Sequence, residues 1–358
     1  MKLPDVLSLI NTAVRDLKAY HLEPRDVPVK LNQNENPFDW PRPIKEAIGR
    51  YCIDRPWNRY PPFVPDDLKI MLGSYIGVPP ECIIAGNGSN EMLLVIMIAL
   101  TTKDRPVILC QPTFTMYHLL ARTIGFGSET VFLDTELQFD LPAILDASKR
   151  FPQSPIIICS PNNPTGSVLT EKQIREILEQ HQGFLIMDQA YVEFGGFNAV
   201  PLIQEYPNLL VTRTFSKAFA GAGLRLGYMT GNAETIQQIN KIKLPYNINF
   251  FSEFVARTAL QHRNELSEGI KLILKEREAE ERFFRSLPLT VYPSMANFIC
   301  IKTPRKQELF DALLDDGIVV RDVSGYPMLE NCLRISIGTP EENNLLQESM
   351  KRFFNGSC

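Results

Sequence analysis

Residues 155–166 read PIIICSPNNPTG, and this stretch decides the class of fold. The run PIIIC is almost continuously apolar, which is typical of a strand buried on both faces of a mostly parallel sheet. The loop SPNNPTG that follows brackets two asparagines with two prolines, so an irregular polar loop stands at the carboxyl end of the strand. Open α/β sheets bind ligands at this edge. The stretch therefore predicts an α/β protein with a ligand site here, although a plain turn before the next helix would explain it in isolation.

The same pattern continues on both sides of this stretch and defines a large α/β domain. Besides 155–159, we predict strands at 82–85, 106–110, 129–133, 184–188, 209–214 and 226–229. Helical patterns between them cover 91–100, 117–123, 171–179 and 234–242.

The pattern changes after Asn249. A long charged helix is predicted over about 252–287, followed by strand-like NFICIK, IVVRD and LRISIG, helical KQELFDALLDDG and a terminal helix. This order indicates a smaller α+β domain. We predict an N-terminal arm over 1–40, a large domain over 41–250, and a small domain over 251–358 joined by the long helix.

Composition restricts the class of protein. The chain has 358 residues, 44% of them apolar and 22% charged, with a net charge of −4. At roughly 150 residues per domain this indicates two domains, without the broad basic face that nucleic-acid binding needs. No apolar run is long enough to span a membrane. The seven cysteines contain no CxxC pair and the four histidines no metal-like cluster. We therefore expect a reduced, cytoplasmic protein without a metal, a nucleic-acid partner or a membrane partner.

Three further segments carry chemical groups. GNGSNE at 86–91 could cradle a phosphate on free N–H groups at a helix start, or could be an ordinary capped turn. Asp188, with Tyr191 nearby, closes the apolar strand FLIMD, where a carboxylate needs a cation unless it caps a helix. Lys217 lies in TFSKAF, ahead of Arg225. Desolvation there would lower the lysine pKa and make the amine a nucleophile, although most lysines are surface charges.

Together these segments provide what pyridoxal phosphate requires: a Schiff-base lysine, an acidic partner for the ring nitrogen and a phosphate site. The sequence resembles the fold-type I pyridoxal-phosphate aminotransferases, and among them the histidinol-phosphate branch, from about residue 20 to residue 354. The motifs that carry the resemblance are KLNQNENP, NRYP, GNGSNE, PTFTMY, CSPNNPTG, DQAYVEF, RTFSKAFAGAGLRLGY, KLPYNIN, SMANFI, VVRD and CLRISIGT. It implies a large domain with a mostly parallel central sheet covered by helices on both faces, plus the smaller C-terminal domain.

The resemblance also implies roles for residues around pyridoxal 5′-phosphate. Lys217 would form the Schiff base and move the substrate proton, and Asp188 would pair with the ring nitrogen. Asn163 and Tyr191 would hydrogen-bond the ring oxygen, and Phe114 would stack on the ring. The residues expected around the cofactor phosphate are Ser89, Asn90, Thr214, Ser216 and Arg225.

Substrate and subunit contacts follow from the same resemblance. Tyr60 would reach the phosphate from the neighbouring subunit, which makes a homodimer necessary for the site. Arg334 would clamp the carboxylate of glutamate or 2-oxoglutarate. Arg321 would help to bind the substrate phosphate or amino-alcohol end, or would only pair with Asp322 or Asp316 at the surface. The other substrate contacts expected are Tyr20, Asn36 and Tyr246.

Two positions depart from the family pattern. Gln189 stands where the family usually has Glu, and Phe114 stands where many relatives have Tyr. We expect the ring-nitrogen carboxylate and the stacking to survive both changes.

The resemblance implies transamination of L-histidinol phosphate with 2-oxoglutarate, giving imidazole acetol phosphate and L-glutamate in histidine biosynthesis. Two other enzymes on the same scaffold stay open, an aromatic amino-acid aminotransferase and a threonine-phosphate decarboxylase. A cofactor-binding regulator without turnover is a further alternative, and the joint presence of Lys217, Asp188, Asn163, Tyr191 and Arg225 weighs against it.

Overall fold

The computed structural model describes residues 6–15, 17 and 25–356, and its core is a seven-stranded sheet with the order β2-β8-β7-β6-β5-β3-β4. All neighbours in this sheet run parallel except β8, which is antiparallel to both of its neighbours. The strands are β2 (Ile83–Gly86), β3 (Val107–Gln111), β4 (Ser128–Phe132), β5 (Ile156–Cys159), β6 (Leu185–Asp188), β7 (Leu209–Thr214) and β8 (Gly227–Gly231). The mostly parallel sheet is confirmed, with strand ends within two residues of those predicted.

Strand β5 shows why these sequences read as continuous apolar runs. Successive side chains of a strand point to opposite faces. Ile156 and Ile158 accordingly join one buried cluster, whereas Ile157 and Cys159 join a second cluster on the other face. Helices cover both faces of the sheet, so every side chain of β5 is buried and no polar residues alternate with the apolar ones.

The helices between and after the strands begin with local capping signals in several cases. Thr170 and Gln173 form a reciprocal capping box, as do Thr339 and Glu342. The helices of this part of the chain are Arg42–Asp54, Asp66–Ile76, Gly88–Leu100, Thr115–Thr123, Leu141–Arg150, Glu171–Gln180 and Ala233–Ile239. Those that follow are Phe250–Gln261, Arg263–Arg285, Lys306–Asp315 and Pro340–Asn355, and a short helix Thr12–Arg15 precedes them all. None of the described helices combines the length and the apolar character that crossing a membrane requires.

A second sheet, of five strands, has the order β1-β11-β12-β10-β9. It consists of β1 (Val29–Leu31), β9 (Thr290–Tyr292), β10 (Phe298–Lys302), β11 (Ile318–Asp322) and β12 (Cys332–Ser336). Strand β1, which lies within the segment expected to be an arm, runs parallel to β11. The other pairings are antiparallel. The division of the chain at residues 40 and 250 stays a prediction.

The long helix expected over 252–287 is two helices, separated at His262. This residue has φ −99° and ψ 20°, outside helical values, and its ring Nδ1 lies 2.8 Å from Oε1 of Glu265. The first helix packs against Arg42–Asp54 and Asp66–Ile76 and the second against strands β9 and β10. The two helices pack against different partners, and no Gly or Pro stands at the break between them. The hydrophobic periodicity of the sequence therefore does not reveal where the first helix ends.

Candidate active site

One cavity of about 590 Å³ opens at the carboxyl ends of β5, β6 and β7, the edge at which the sequence predicted a ligand. It collects most of the predicted site residues in one place. Those that line it are Ser89, Asn90, Phe114, Asn163, Asp188, Tyr191, Thr214, Ser216, Lys217, Arg225, Arg321 and Arg334. The structure thus brings together residues that are up to 245 positions apart in the chain (Ser89 to Arg334).

Lys217 follows β7 and is half-buried at the cavity wall. Its Nζ donates a hydrogen bond of 2.8 Å to the backbone oxygen of Gln33 and lies 5.8 Å from the centre of the Tyr191 ring. Burial, followed by the nearby positive charge of Arg334, lowers the pKa of Lys217 to about 7. A large share of neutral amine is therefore present near neutral pH, as nucleophilic attack on a carbonyl requires.

Asp188 ends β6 and is only 2% exposed. Its Oδ2 accepts a hydrogen bond of 2.6 Å from the Tyr117 hydroxyl, and its Oδ1 accepts one of 3.2 Å from the N–H of Ala190. Burial raises the pKa of the Asp188 carboxyl, and the hydrogen bond from Tyr117 opposes this rise. The described groups that hydrogen-bond Asp188, which include the Thr212 side chain, are all neutral, so no described donor to this buried carboxylate is a cation.

Sequence reasoning missed Tyr117, although it lies in the quoted motif PTFTMY. It stands three residues after Phe114, a spacing that places two side chains on one face of a helix. The two rings meet edge to face, with centroids 5.6 Å apart. The available signal in the sequence was a tyrosine three residues after the expected stacking ring, and the structure shows this tyrosine to be fully buried.

Tyr191 makes a hydrogen bond with a residue of the N-terminal segment. Its hydroxyl accepts a hydrogen bond of 3.1 Å from Nδ2 of Asn34. Asn34 has a left-handed φ of 54°, and its N–H donates to the Ser336 hydroxyl at 2.9 Å. The motif LNQNENP drew attention to Asn36 rather than to Asn34, because nothing in the sequence shows that the backbone turns at Asn34.

The start of the helix Gly88–Leu100 and the loop after β7 form an anion cradle. The helix has no side-chain cap, so its first N–H groups are available at the positive end of the helix dipole. Arg225 Nη1 donates to the Ser216 hydroxyl at 3.4 Å, and Thr214 donates to Ser216 at 3.0 Å. A Cβ on Gly227 would lie 2.3 Å from the backbone nitrogen of Ser89, so only glycine lets β8 pass this close to the helix start.

Arg334 lies on the other side of the cavity, on β12, and is buried. Its Nη1 donates to Oδ1 of Asn163 at 2.5 Å, and its Nη2 donates to the backbone oxygen of Asn32 at 2.7 Å. Its Nε is buried and finds no hydrogen-bond partner among the residues the structure describes. A guanidinium with an unused donor at a cavity wall suits a planar anion.

Arg321, on β11, lines the same cavity. The two carboxylates proposed as its surface partners are occupied elsewhere: Asp322 pairs with Lys306 at 2.7 Å and Asp316 with Arg352 at 2.8 Å. Among the described residues no ion pair joins Arg321 to either carboxylate, which favours a role for its guanidinium in ligand binding; that role stays a prediction.

Three predicted residues lie outside the cavity, and Tyr20 lies outside the described residues. Asn36 Nδ2 donates to the backbone oxygen of Ala218 at 3.1 Å, beside Lys217. Tyr60 is 80% exposed and stacks on the ring of Tyr246, with centroids 4.7 Å apart. Within one chain the structure does not bring Tyr60 and Tyr246 to the cavity, and their roles stay predictions.

The Gln189 side chain is directed away from the cavity. Its Nε2 donates to the backbone oxygen of Phe197 at 2.7 Å, and its Oε1 accepts from Nη2 of the buried Arg213 at 3.2 Å. Gln189 thus belongs to a hydrogen-bond network outside the cavity, so a Gln in place of the usual Glu leaves the cavity lining unchanged.

Comparison with known proteins agrees with this arrangement. Residues 26–349 match the family model described as aminotransferase class I and II. The chain is 38% identical over 347 residues to a histidinol-phosphate aminotransferase of Chlorobaculum tepidum, covering 96% of this chain and 100% of that protein. It is 37% identical over 350 residues to a histidinol-phosphate aminotransferase of Chlorobaculum parvum, covering 97% and 99%.

A solved structure shares the fold. The histidinol-phosphate aminotransferase of Sinorhizobium meliloti, crystallised in complex with pyridoxal-5′-phosphate, superposes with a TM-score of 0.88 at 24% identity. The match covers 98% of this chain and 99% of that chain.

Proposed function

The chain belongs to the class I and II aminotransferase family, and from this premise we propose that it is a histidinol-phosphate transaminase. It transfers the amino group of L-histidinol phosphate to 2-oxoglutarate and yields imidazole acetol phosphate and L-glutamate, a step of histidine biosynthesis. The observation that carries this function is the 38% identity over essentially the full length of a histidinol-phosphate aminotransferase.

The cavity residues fit pyridoxal phosphate, the cofactor of this reaction. Asp188 is a buried carboxylate that holds only neutral hydrogen-bond donors and therefore suits a protonated ring nitrogen. The anion cradle of hydroxyls, Arg225 and a helix start suits a phosphate group. When bound, the cofactor supplies an aldehyde for the amino group and a ring that withdraws electrons from the reacting carbon.

Lys217 performs the proton transfer. Its amine reaches neutral form near pH 7 because burial and Arg334 disfavour the ammonium. It can therefore accept the proton from the α-carbon of the substrate and return it one position away, as general base and then general acid. The backbone oxygen of Gln33, 2.8 Å away, accepts a hydrogen bond from Nζ and orients it.

Asp188, Asn163 and Tyr191 hold the ring system in our proposal. The ionised Asp188 would keep the ring nitrogen of the cofactor protonated, and Asn163 and Tyr191 would hydrogen-bond the ring oxygen. Phe114 supplies a stacking face. The cofactor phosphate would be surrounded by Ser89, Asn90, Thr214, Ser216 and Arg225.

Arg321 and Arg334 bind the anionic groups of the two substrates, together with Tyr20, Asn36 and Tyr246. The unused Nε of Arg334 supports this assignment. The ion pairs of Asp316 and Asp322 support it as well, because each carboxylate pairs with a cation other than Arg321.

The protein acts as a homodimer in this proposal, and Tyr60 completes the partner's phosphate site. An exposed aromatic cluster supports the interface: Trp57 lies 6.0 Å from Phe250, and Phe63 lies 5.4 Å from Tyr246, measured between ring centroids. Side chains of this size are rarely left exposed together on a monomer. We also place the protein in the cytoplasm, which the free thiols of the described cysteines support.

A subunit-mixing experiment tests the homodimer. Lys217→Ala and Tyr60→Ala proteins are each prepared as inactive homodimers and then mixed under conditions that allow subunit exchange. If Tyr60 serves the partner's Lys217, a hybrid contains one site with both lesions and one intact site, and activity returns. Two variants that stay inactive after mixing, with exchange verified by labelled subunits, would contradict the assignment.

An anaerobic spectral titration of the holoprotein with L-histidinol phosphate tests the reaction. We expect the absorption band of the lysine-bound cofactor to convert to that of the amine form, and 2-oxoglutarate to reverse the change. Conversion by phenylalanine or tyrosine but not by histidinol phosphate would assign the protein to the aromatic aminotransferases. Release of carbon dioxide from threonine phosphate, without a keto acid, would assign it to the decarboxylases.

A further inference from the structure

Tyr117 connects two groups of the cavity that have separate tasks. Its hydroxyl donates to Asp188 Oδ2 at 2.6 Å, while its ring meets the Phe114 ring edge to face. The side chain is completely buried and also lines the cavity. One residue therefore contacts both the carboxylate expected at the ring nitrogen and the aromatic ring expected on the ring face.

The geometry at Asp188 fixes the carboxylate. Its two oxygens each accept a hydrogen bond, Oδ2 from Tyr117 and Oδ1 from the N–H of Ala190. The donors come from different elements, the helix Thr115–Thr123 and the loop after β6, so the plane of the carboxylate is set from two directions. Hydrogen bonds to a charged acceptor are stronger than those between neutral groups.

Cys159 lies at the end of the neighbouring strand, β5, paired in register with Asp188. Its thiol donates to the backbone oxygen of Pro161 at 3.2 Å. Two side chains therefore favour the ionised Asp188 carboxylate, and the hydrogen bond from the Tyr117 hydroxyl contributes more than the one from Thr212. Removing the Tyr117 hydroxyl would leave the buried carboxylate with only the weaker contributions of Thr212 and the N–H of Ala190.

We propose that Tyr117 is a positioning residue, whose hydroxyl keeps the Asp188 carboxylate ionised and oriented toward the ring nitrogen of pyridoxal phosphate. The inference rests on the proposed function, because it needs a cofactor with a protonated ring nitrogen. Without this donor, the buried carboxylate would take up a proton or rotate, and its attraction for the ring N–H would weaken.

Cofactor binding to Tyr117→Phe tests the proposal, because the variant removes the hydroxyl and keeps the ring against Phe114. We expect the affinity of the apoprotein for pyridoxal phosphate to fall about tenfold. A carbocyclic analogue, with a CH group in place of the ring nitrogen, should bind wild-type and variant protein equally within about twofold. In the holoenzyme the acidic limb of the kcat–pH profile should move to higher pH.

Tyr228→Phe is the matched control. Tyr228 is equally buried, lies on β8 of the same sheet and does not line the cavity. Its variant should bind both cofactors as wild type does. If Tyr117→Phe loses the same affinity for both cofactors, or loses none for pyridoxal phosphate, Tyr117 only shapes the cavity and the proposal is wrong.

Wild-type controls separate this test from that of the proposed function. Wild-type protein that fails to bind pyridoxal phosphate or to transaminate would contradict the function itself. Circular dichroism verifies that each variant is folded. Should Tyr117→Phe not fold, Tyr117→Leu, which also lacks a hydrogen-bond donor, goes through the same comparison of the two cofactors, with the same outcomes deciding.

Discussion

Arg321 and Arg334 are direct cross-strand partners in the pairing of β11 with β12. Like charges at directly opposite positions of an antiparallel pair repel each other. Arg334 is held by two neutral acceptors, Asn163 and Asn32, which leave its charge uncompensated. A bound anion would relieve this repulsion, so ligand binding and local stability are coupled at this pair.

The arginine pair predicts stabilisation by simple anions. We expect inorganic phosphate to raise the Tm of wild-type protein, because it binds the folded state in preference to the unfolded one. Arg321→Gln and Arg334→Gln should each reduce this rise and increase KM for at least one anionic substrate by about tenfold or more. Differential scanning fluorimetry and steady-state kinetics measure the two effects. Arg352→Gln, a surface variant, is the control, and an equal phosphate effect in all proteins would contradict the prediction.

Lys217 predicts a pH dependence of aldehyde capture. Its pKa of about 7 lies below the ordinary value of 10.5, so the neutral amine dominates above pH 7 rather than above pH 10.5. The rate at which apoprotein captures pyridoxal phosphate should therefore rise from pH 5.5 to about pH 7 and then level off. Stopped-flow absorbance measures it. Lys217→Ala should capture none and lose about 10³-fold or more in turnover while staying folded. Lys271→Ala, at an exposed lysine, should match wild type.

Gly227 predicts a steric link between β8 and the anion cradle. A Cβ there would lie 2.3 Å from the Ser89 nitrogen, so Gly227→Ala must displace the start of the helix Gly88–Leu100. We expect weaker binding of pyridoxal phosphate and a loss of about 1–3 kcal/mol in the free energy of unfolding. Gly49→Ala is the control. It lies within a helix with no atom within 4 Å of the added carbon, and it should stabilise the protein by about 0.5–1 kcal/mol.

Glu280 predicts a pH-dependent stability that is independent of the active site. It is 1% exposed, its Oε1 accepts from Gln347 at 2.6 Å, and its Oε2 has no partner among the described residues. Burial raises its pKa from 4.5 to about 7. Between these values the folded state binds more protons than the unfolded state, so stability falls as pH rises through this window.

Glu280→Gln should remove this dependence. The variant should exceed wild type by about 1–3 kcal/mol at pH 8 and lose that advantage near pH 4.5, since each pKa unit corresponds to about 1.4 kcal/mol. Urea unfolding at several pH values measures the difference. Glu278→Gln, on the exposed side of the same helix, should change stability little at any pH. Parallel pH curves for wild type and Glu280→Gln would refute the expectation.

The sequence predicted the central sheet well because buried parallel strands carry their signal locally. Runs such as 155–159 and 184–187 are apolar throughout, and the polar residues after them mark their ends. The same local logic identified Asn163 and Asp188, since each directly follows or ends such a run. Resemblance then supplied their roles.

What the sequence could not predict depends on contacts between distant segments. Nothing local shows that Asn34 reaches Tyr191, or that Gln33 offers its carbonyl to Lys217, 184 positions away. The helix break at His262 likewise comes from packing and has no Gly or Pro to mark it. Tyr117 was within reach, because its spacing from Phe114 places both on one helix face.

Strand β1 can pair only after the C-terminal part of the chain has been synthesised. Val29 pairs with Ile318, so the partner strand of this early segment is synthesised 289 residues later. Contacts so distant in sequence raise the contact order, and closing such a loop is slow. The same segment carries the carbonyl that orients Lys217 and the amide that holds Tyr191. A chain still on the ribosome can therefore form much of its seven-stranded sheet, but catalytic competence arrives only after the last strands have been released.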